Sequence, residues 1–407
     1  MNIKGKRFLI TQPVLHRYCG SVVVTIELAI FLMENGAKVD VYTFTSDESI
    51  KRRLENKGIN VYMPHDSEKL NLFKYDYIWI HSQVLPEPIV KQLPKLANAP
   101  KRPFFIFLHM SSHDYIPDEF QWIYTFEENL ADIVLYISEE VRENHKILFT
   151  KPIVESYFRN PCPKKFSNND APDKLKKVLI VSNHAPKEIE EAVSILRKKK
   201  ITVRHLGDNG RKTKLISPKD IKEYDAIITI GKTVQYCILG ERPTYIYDIF
   251  GGAGYLTRRN YRENKKLNFS GRGFSKKEPN IIADEIIKGW ANAKKEITSI
   301  SKNHSAEYAL DNSIKDILEI LSTNGIKNIQ INYSQSLSFY YAQRLIRYRF
   351  YDQYRVFMLE KENKILGNKL SNITEMNKRL YKPNIFIRIG KKINCLRSQK
   401  TPKAIQK

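Results

Sequence analysis

Short apolar runs alternate with stretches of helical apolar spacing along most of the chain, and this rhythm constrains the fold more than any other feature. The first round opens with Arg7-Phe8-Leu9-Ile10-Thr11 and ends in a loop from Gln12 to Ser21. Val23, Ile26, Leu28, Ile30 and Phe31 then take helical spacing between Val22 and Asn35, and Gly36 supplies a stop. Further strands are predicted at residues 38–43, 77–80, 104–108 and 133–137. Strands joined through helices run parallel, and a parallel sheet is covered on both faces. A polar stretch from Pro161 to Lys177, with prolines at 161, 163 and 172, reads as a linker. The rhythm then restarts with a strand at 178–181, a helix from Lys187 to Lys198, and strands at 202–206, 225–230 and 243–247.

The pattern predicts the α/β class, with two Rossmann-like, doubly wound domains facing a cleft. Residues 1–165 form the first domain, 172–300 the second, and 301–407 a helical extension with a basic tail. A length of 407 residues agrees with two to three domains at roughly 150 residues each. Within the extension, Val356, Leu359, Leu366, Leu370, Ile373 and Leu380 fall on heptad a and d positions. Asn363 and Asn377 occupy two of the a positions. Residues 356–380 are therefore expected either to pack on their own domain or to pair two chains as a homodimer.

Charge narrows the partners. The formal net charge is +24, and ten Lys or Arg with no Asp or Glu lie between Met376 and Lys407. Nucleic acid, an anionic membrane surface and an anionic substrate all fit such a balance. No apolar run approaches the ~18 residues of a transmembrane helix. The N-terminus lacks the cleavage site of a signal peptide. Cys19, Cys162, Cys237 and Cys395 are far apart without a CxxC, so neither a disulfide framework nor a zinc site is expected, and a reducing cytoplasm suits the chain.

Open α/β sheets bind ligands beyond the carboxyl ends of their strands, so polar residues there are the candidates. Gly20 and Ser21 open the first helix, where backbone amides favour an anion. His109, His113 and Asp114 follow the strand that ends at Leu108. A histidine in that place suits general-base work or a hydrogen bond to a hydroxyl. Gly231-Lys232-Thr233-Val234-Gln235 follows a strand and opens a helix, and suits a diphosphate, although it lacks the P-loop pattern. Asp248 ends the next strand, and Gly251, Gly252 and Gly254 after it suggest backbone wrapped around a ligand. Arg258 and Arg272 are candidates for bidentate phosphate contacts.

Several of these segments, in this order, resemble the GT-B glycosyltransferases, closest to the family-4-like group of bacterial surface-polysaccharide synthesis. The glycine loop, the helix with Glu27-Leu28-Ala29, Asn35-Gly36-Ala37-Lys38-Val39 and the His109 strand end carry the resemblance in the first half. Ile137-Ser138-Glu139-Glu140-Val141 and Arg159-Asn160-Pro161 extend it. Gln235 to Pro243, Asp248 and Gly251-Gly252 carry it in the second half. The sequence departs from the group in two places. Gln235 stands near the position of a ribose-binding glutamate, and the loop for a second glutamate is missing. Ser182-Asn183-His184-Ala185-Pro186 replaces a Gly-Arg-Leu segment. Retention or inversion therefore does not carry over.

The resemblance implies an enzyme that moves a sugar from a nucleotide-sugar to a capsule, O-antigen or teichoic-type acceptor. Residues 1–165 would be the acceptor side, with Gly20, Ser21, His113 and Asp114 near the acceptor and His109 catalytic. Residues 172–300 would hold the donor through Lys232, Thr233, Gln235, Asp248, Gly251, Gly252, Arg258 and Arg272. No cofactor and no metal are expected, since the nucleotide-sugar is a substrate and Asp-x-Asp is absent. The basic tail implies peripheral attachment to the cytoplasmic face of the inner membrane, where a lipid-linked acceptor would sit. The alternatives are an inactive GT-B-like scaffold and a nucleic-acid-binding protein. The second lacks any helix-turn-helix, zinc-finger or RNP-type motif.

Overall fold

A computed structural model describes residues 3–112, 124–167, 172–207 and 214–380. The chain divides into two compact units, Met1–Tyr348 and Arg349–Lys407.

The first unit holds two sheets. Strands β1 (Arg7–Leu15), β2 (Lys38–Ser46), β3 (Asn60–Tyr62), β4 (Tyr77–His81), β5 (Phe104–His109), β6 (Ile133–Tyr136) and β7 (Glu155–Tyr157) form the first, in the order β3-β2-β1-β4-β5-β6-β7. All of its pairs are parallel. Phe8, Leu9, Ile10, Ile78, Ile80, Phe105 and Phe107 are buried, as near-continuous apolar strands covered on both faces must be. The three-residue edge strands β3 and β7 escape the sequence reading because they are short and mostly polar.

The second sheet contains β8 (Lys177–Val181), β9 (Thr202–Leu206), β10 (Ala226–Thr229), β11 (Thr244–Asp248) and β12 (Gly251–Tyr255), in the order β12-β11-β10-β8-β9. Here the structure corrects the expected ligand loop at Gly251 and Gly252. That segment is a strand, antiparallel to β11. Its glycines serve close backbone packing. A Cβ on Gly251 would lie 2.6 Å from the Ser275 carbonyl, and one on Gly252 2.0 Å from the Ile246 oxygen.

Helices α1 (Gly20–Glu34), α2 (Glu48–Glu55), α3 (Glu87–Gln92), α4 (Tyr124–Leu130) and α5 (Glu139–Lys146) belong to the first sheet. Helices α6 (Lys187–Lys198), α7 (Pro218–Lys222), α8 (Lys232–Leu239), α9 (Arg258–Lys266), α10 (Pro279–His304) and α11 (Leu310–Asn324) follow. Ile282, Ile286, Trp290 and Ala293 of α10 share a buried cluster with Val178, Ile180 and Ile228. The chain then returns to the first sheet. The Arg102 guanidinium binds both Asp132 oxygens at 2.7 Å and also the Lys327 carbonyl. Phe339 stacks on Phe126 at 4.3 Å, and Ser336 donates to the Val90 carbonyl at 2.7 Å. Both aromatic and polar contacts thus anchor the start of α12 (Tyr333–Leu380).

In the second unit, α12 continues without a break to Leu380. No described helix is long and apolar enough to cross a membrane.

Candidate active site

The strand orders place a topological switch point in each sheet, between β1 and β4 and between β8 and β10. Ligands of doubly wound sheets bind in the crevices there.

At the first switch point a buried polar group collects. His81 ends β4, and its Nδ1 lies 2.9 Å from Gln12 Oε1 and 3.0 Å from Thr25 Oγ1. Gln12 donates to Ser21 Oγ at 3.3 Å, which ties the group to the start of α1. Burial pushes His81 down to about 3, so the ring is neutral. An amide oxygen accepts, so Nδ1 carries the proton. Next door, His109 ends β5 with Nε2 2.7 Å from Glu127 Oε1. Glu127 Oε2 accepts from Gln83 at 2.7 Å. His109 also stacks on His145 at 3.9 Å. His145 donates from Nε2 to the Ser111 carbonyl at 3.1 Å, and burial with His109 beside it pushes it down to about 2. Ser82 and Gln83 follow β4 with φ of 49° and 56°. Two successive non-glycine residues in that region persist only where their surroundings hold them. Gln343 of α12 supplies that hold, donating to the Gln83 carbonyl at 2.8 Å and accepting from Leu85 N–H at 2.9 Å.

At the second switch point, Ser182 follows β8 and donates to Asp248 Oδ2 at 3.2 Å. His205 Nε2 lies 2.8 Å from the Ser182 carbonyl. Burial raises Asp248 above its ordinary value, and hydrogen bonds from Ile249 N–H and Ser182 oppose that shift. Gly207 has φ of 138°, and a Cβ there would lie 1.9 Å from the Ser182 oxygen. Only glycine brings β9 this close to the Ser182 loop.

The two carboxyl edges touch. Lys232 opens α8 after β10, and its ammonium lies 2.8 Å from Glu27 Oε2 of α1. It also donates to the carbonyls of Asn160 at 3.1 Å and Pro161 at 2.5 Å. Tyr236 donates to Glu27 Oε1 at 2.7 Å. Arg272 reaches from the second sheet's loops to Glu140 and to Ser112 Oγ. Asn160 donates to Asn268 Oδ1 at 3.1 Å.

No protein-family model matches the sequence, and no curated protein is similar to it in sequence. Solved structures are similar in fold. Anabaena HepE in complex with UDP and glucose has a TM-score of 0.50 at 14% identity, over 78% of this chain and 100% of HepE. A glycosyltransferase from Rickettsia africae ESF-5 has a TM-score of 0.51 at 12% identity, over 79% of this chain and 98% of that one. The chain has the GT-B fold. These identities speak for the fold alone.

The GT-B frame sorts the residues expected from sequence. His109 and Ser21 lie at the carboxyl edge of the first sheet. Gly20 lies there too, and a Cβ on it would meet nothing within 4 Å. His113 and Asp114 lie outside the described residues. Thr233 and Asp248 lie at the carboxyl edge of the second sheet, both buried. Gln235 is buried as well. With its amide oriented by the network, it donates to the Gly231 and Lys232 carbonyls, so it braces the start of α8.

Two of these residues are paired. Lys232 donates to the Asn160 and Pro161 carbonyls and forms an ion pair with Glu27, inside the contact between the edges. It clasps the two edges together in this structure. Arg258 pairs with Glu296 of α10 at 2.8 Å. It follows β12, which runs backwards, so it sits at the amino edge, far round from Asp248. Leu256 N–H bonding to Thr244 at the start of β11 fixes that end. Arg272 stays at the carboxyl edge.

The sequence reading missed His81, Gln83, Glu127 and His145. His81 had a signal, since it is the polar residue that ends an apolar strand. Glu127 and His145 had none, because each sits on a helix and meets His109 only through the packing of α4 and α5 on the sheet. Among the described residues, no group of three or more His, Cys, Asp or Glu side chains is gathered as a metal would require.

Proposed function

We propose that the chain is a glycosyltransferase moving a sugar from a nucleotide-sugar to a surface-glycan acceptor of capsule, O-antigen or teichoic type. The observation that carries the reading is the pair of switch points brought edge to edge, with His109–Glu127 on one side and Ser182–Asp248 on the other. The UDP and glucose bound to HepE make a UDP-sugar the first donor to try.

On the donor side, Asp248, held by the Ser182 hydroxyl, offers an acceptor to sugar or ribose hydroxyls. The start of α8 at Gly231–Thr233 and the Arg272 guanidinium face the diphosphate, whose charge grows as the sugar leaves. On the acceptor side, Glu127 accepts from His109 Nε2–H and fixes the tautomer. His109 is then the candidate base for the acceptor hydroxyl's proton. Both sides act by position and charge.

The basic residues 376–407 suit attachment to an anionic bilayer, where a lipid-linked acceptor lies. Removing them is expected to abolish co-sedimentation with anionic vesicles and leave sugar transfer to a soluble acceptor intact.

Transfer tests the reading directly. Labelled UDP-sugars are incubated with the protein and extracts containing lipid-linked glycan. Label entering the glycan with the intact chain, and not with His109→Ala, supports it. No release of nucleotide from any donor contradicts it.

A further inference from the structure

We infer that α12 beyond residue 349 pairs with the same segment of a second copy of this chain, as a parallel, in-register, two-stranded coiled coil. The inference stands apart from the proposed activity. Helix α12 runs unbroken through the heptads to Leu380. Its a and d side chains face solvent: Val356 is 54% exposed, Leu359 57%, Leu366 60%, Leu370 66% and Ile373 54%. Arg349 and Asp352, at the preceding a and d positions, close the apolar seam at its start. A seam repeating every 3.5 residues suits a second helix wound around the first.

Two polar features select the partner and its direction. Asn363 sits within the seam at an a position and is exposed. In a parallel, in-register pair each a residue meets its own copy, so the Asn363 amides bond to one another. In an antiparallel pair a faces d, which sets Asn363 against leucine or isoleucine and leaves its amide without a partner. Arg355 at g and Glu360 at the following e give the second feature. Five residues apart on one helix, they do not face each other. Across a parallel dimer g meets the next e, so Arg355 of each copy meets Glu360 of the other. Both features are met by a second copy of this chain in register.

The experiment uses the full chain in sedimentation equilibrium across a hundredfold range of concentration. A dimer is expected, and Leu366→Glu with Leu370→Glu should make it monomeric with the melting of the first unit unchanged. Arg355→Glu should weaken the dimer, and adding Glu360→Arg should restore it. Under mild oxidation Asn363→Cys should cross-link as a dimer, whereas Asn368→Cys, on the outer f position, should not. A monomer at every concentration overturns the inference. So does a dimer indifferent to the seam substitutions, or an intact dimer in which Asn363→Cys does not cross-link.

Discussion

The Lys232 ammonium lies 2.8 Å from Glu27 Oε2, and both side chains are about 5% exposed, at 5% and 6%. This pair joins α8 of one sheet to α1 of the other. A buried charge left without its partner is expensive, about 3–5 kcal/mol. Lys232→Met should therefore destabilise the protein by about that amount. Glu27→Leu together with Lys232→Met should lose less than Lys232→Met alone, since neither charge is then stranded. Urea unfolding checks both. A Lys232→Met protein of full stability with a raised donor KM would return Lys232 to the diphosphate.

Acid should weaken the fold through two rings. His81 and His145 are pushed down by burial to about 3 and about 2, below the ordinary 6.5. Below about pH 6.5 the unfolded chain binds those protons and the native chain does not, so stability falls as pH falls. Each ring contributes up to about 1.4 kcal/mol per pH unit. Between about pH 7 and 5 the stability of His145→Gln should fall less steeply than that of the parent. Equal slopes would show that His145 is protonated in the native state.

The strained turn at Ser82–Gln83 depends on a residue 260 positions away in sequence, Gln343. Gln343→Leu leaves the Leu85 N–H and the Gln83 carbonyl unpaired in a buried place. Each lost partner costs about 1–3 kcal/mol. Because Gln83 also donates to Glu127, kcat should fall with little change in donor KM. Parallel losses in KM and kcat would mean that the turn shapes the donor site instead.

His109→Ala should lower kcat by about 10²–10⁴-fold, the range of a lost general base. Glu127→Gln should lower it less and keep donor binding, since the imidazole remains but loses its orienting carboxylate. Steady-state kinetics against donor and acceptor separate the two. Full activity in His109→Ala would remove His109 from the chemistry and leave the ring a structural role.

The sequence made most of this fold legible because buried parallel strands must be apolar and helices between them must be amphipathic. The helix Lys187–Lys198 and the strand Thr202–Leu206 form at the residues expected. The glycine segment was misread because Gly251 and Gly252 look alike whether the close neighbour is a ligand or, as here, the backbone of Ile246 and Ser275. The pairing of Lys232 was hidden for a related reason. Its spacing after a strand places it at the carboxyl edge, but only tertiary structure reveals Glu27 waiting there. Glu127 and His145 are legible only once α4 and α5 are packed against β5.

On the proposed function, the paired carboxyl edges bind a nucleotide-sugar. Thermal unfolding of the full chain with UDP, GDP, CDP, CMP and ADP and their common sugar derivatives tests it most directly. A ligand that binds only the native state raises the melting temperature with its concentration over Kd. A selective rise with one nucleotide is expected, larger for its sugar derivative, and reduced by Asp248→Asn. No rise with any of them at millimolar concentration would contradict it.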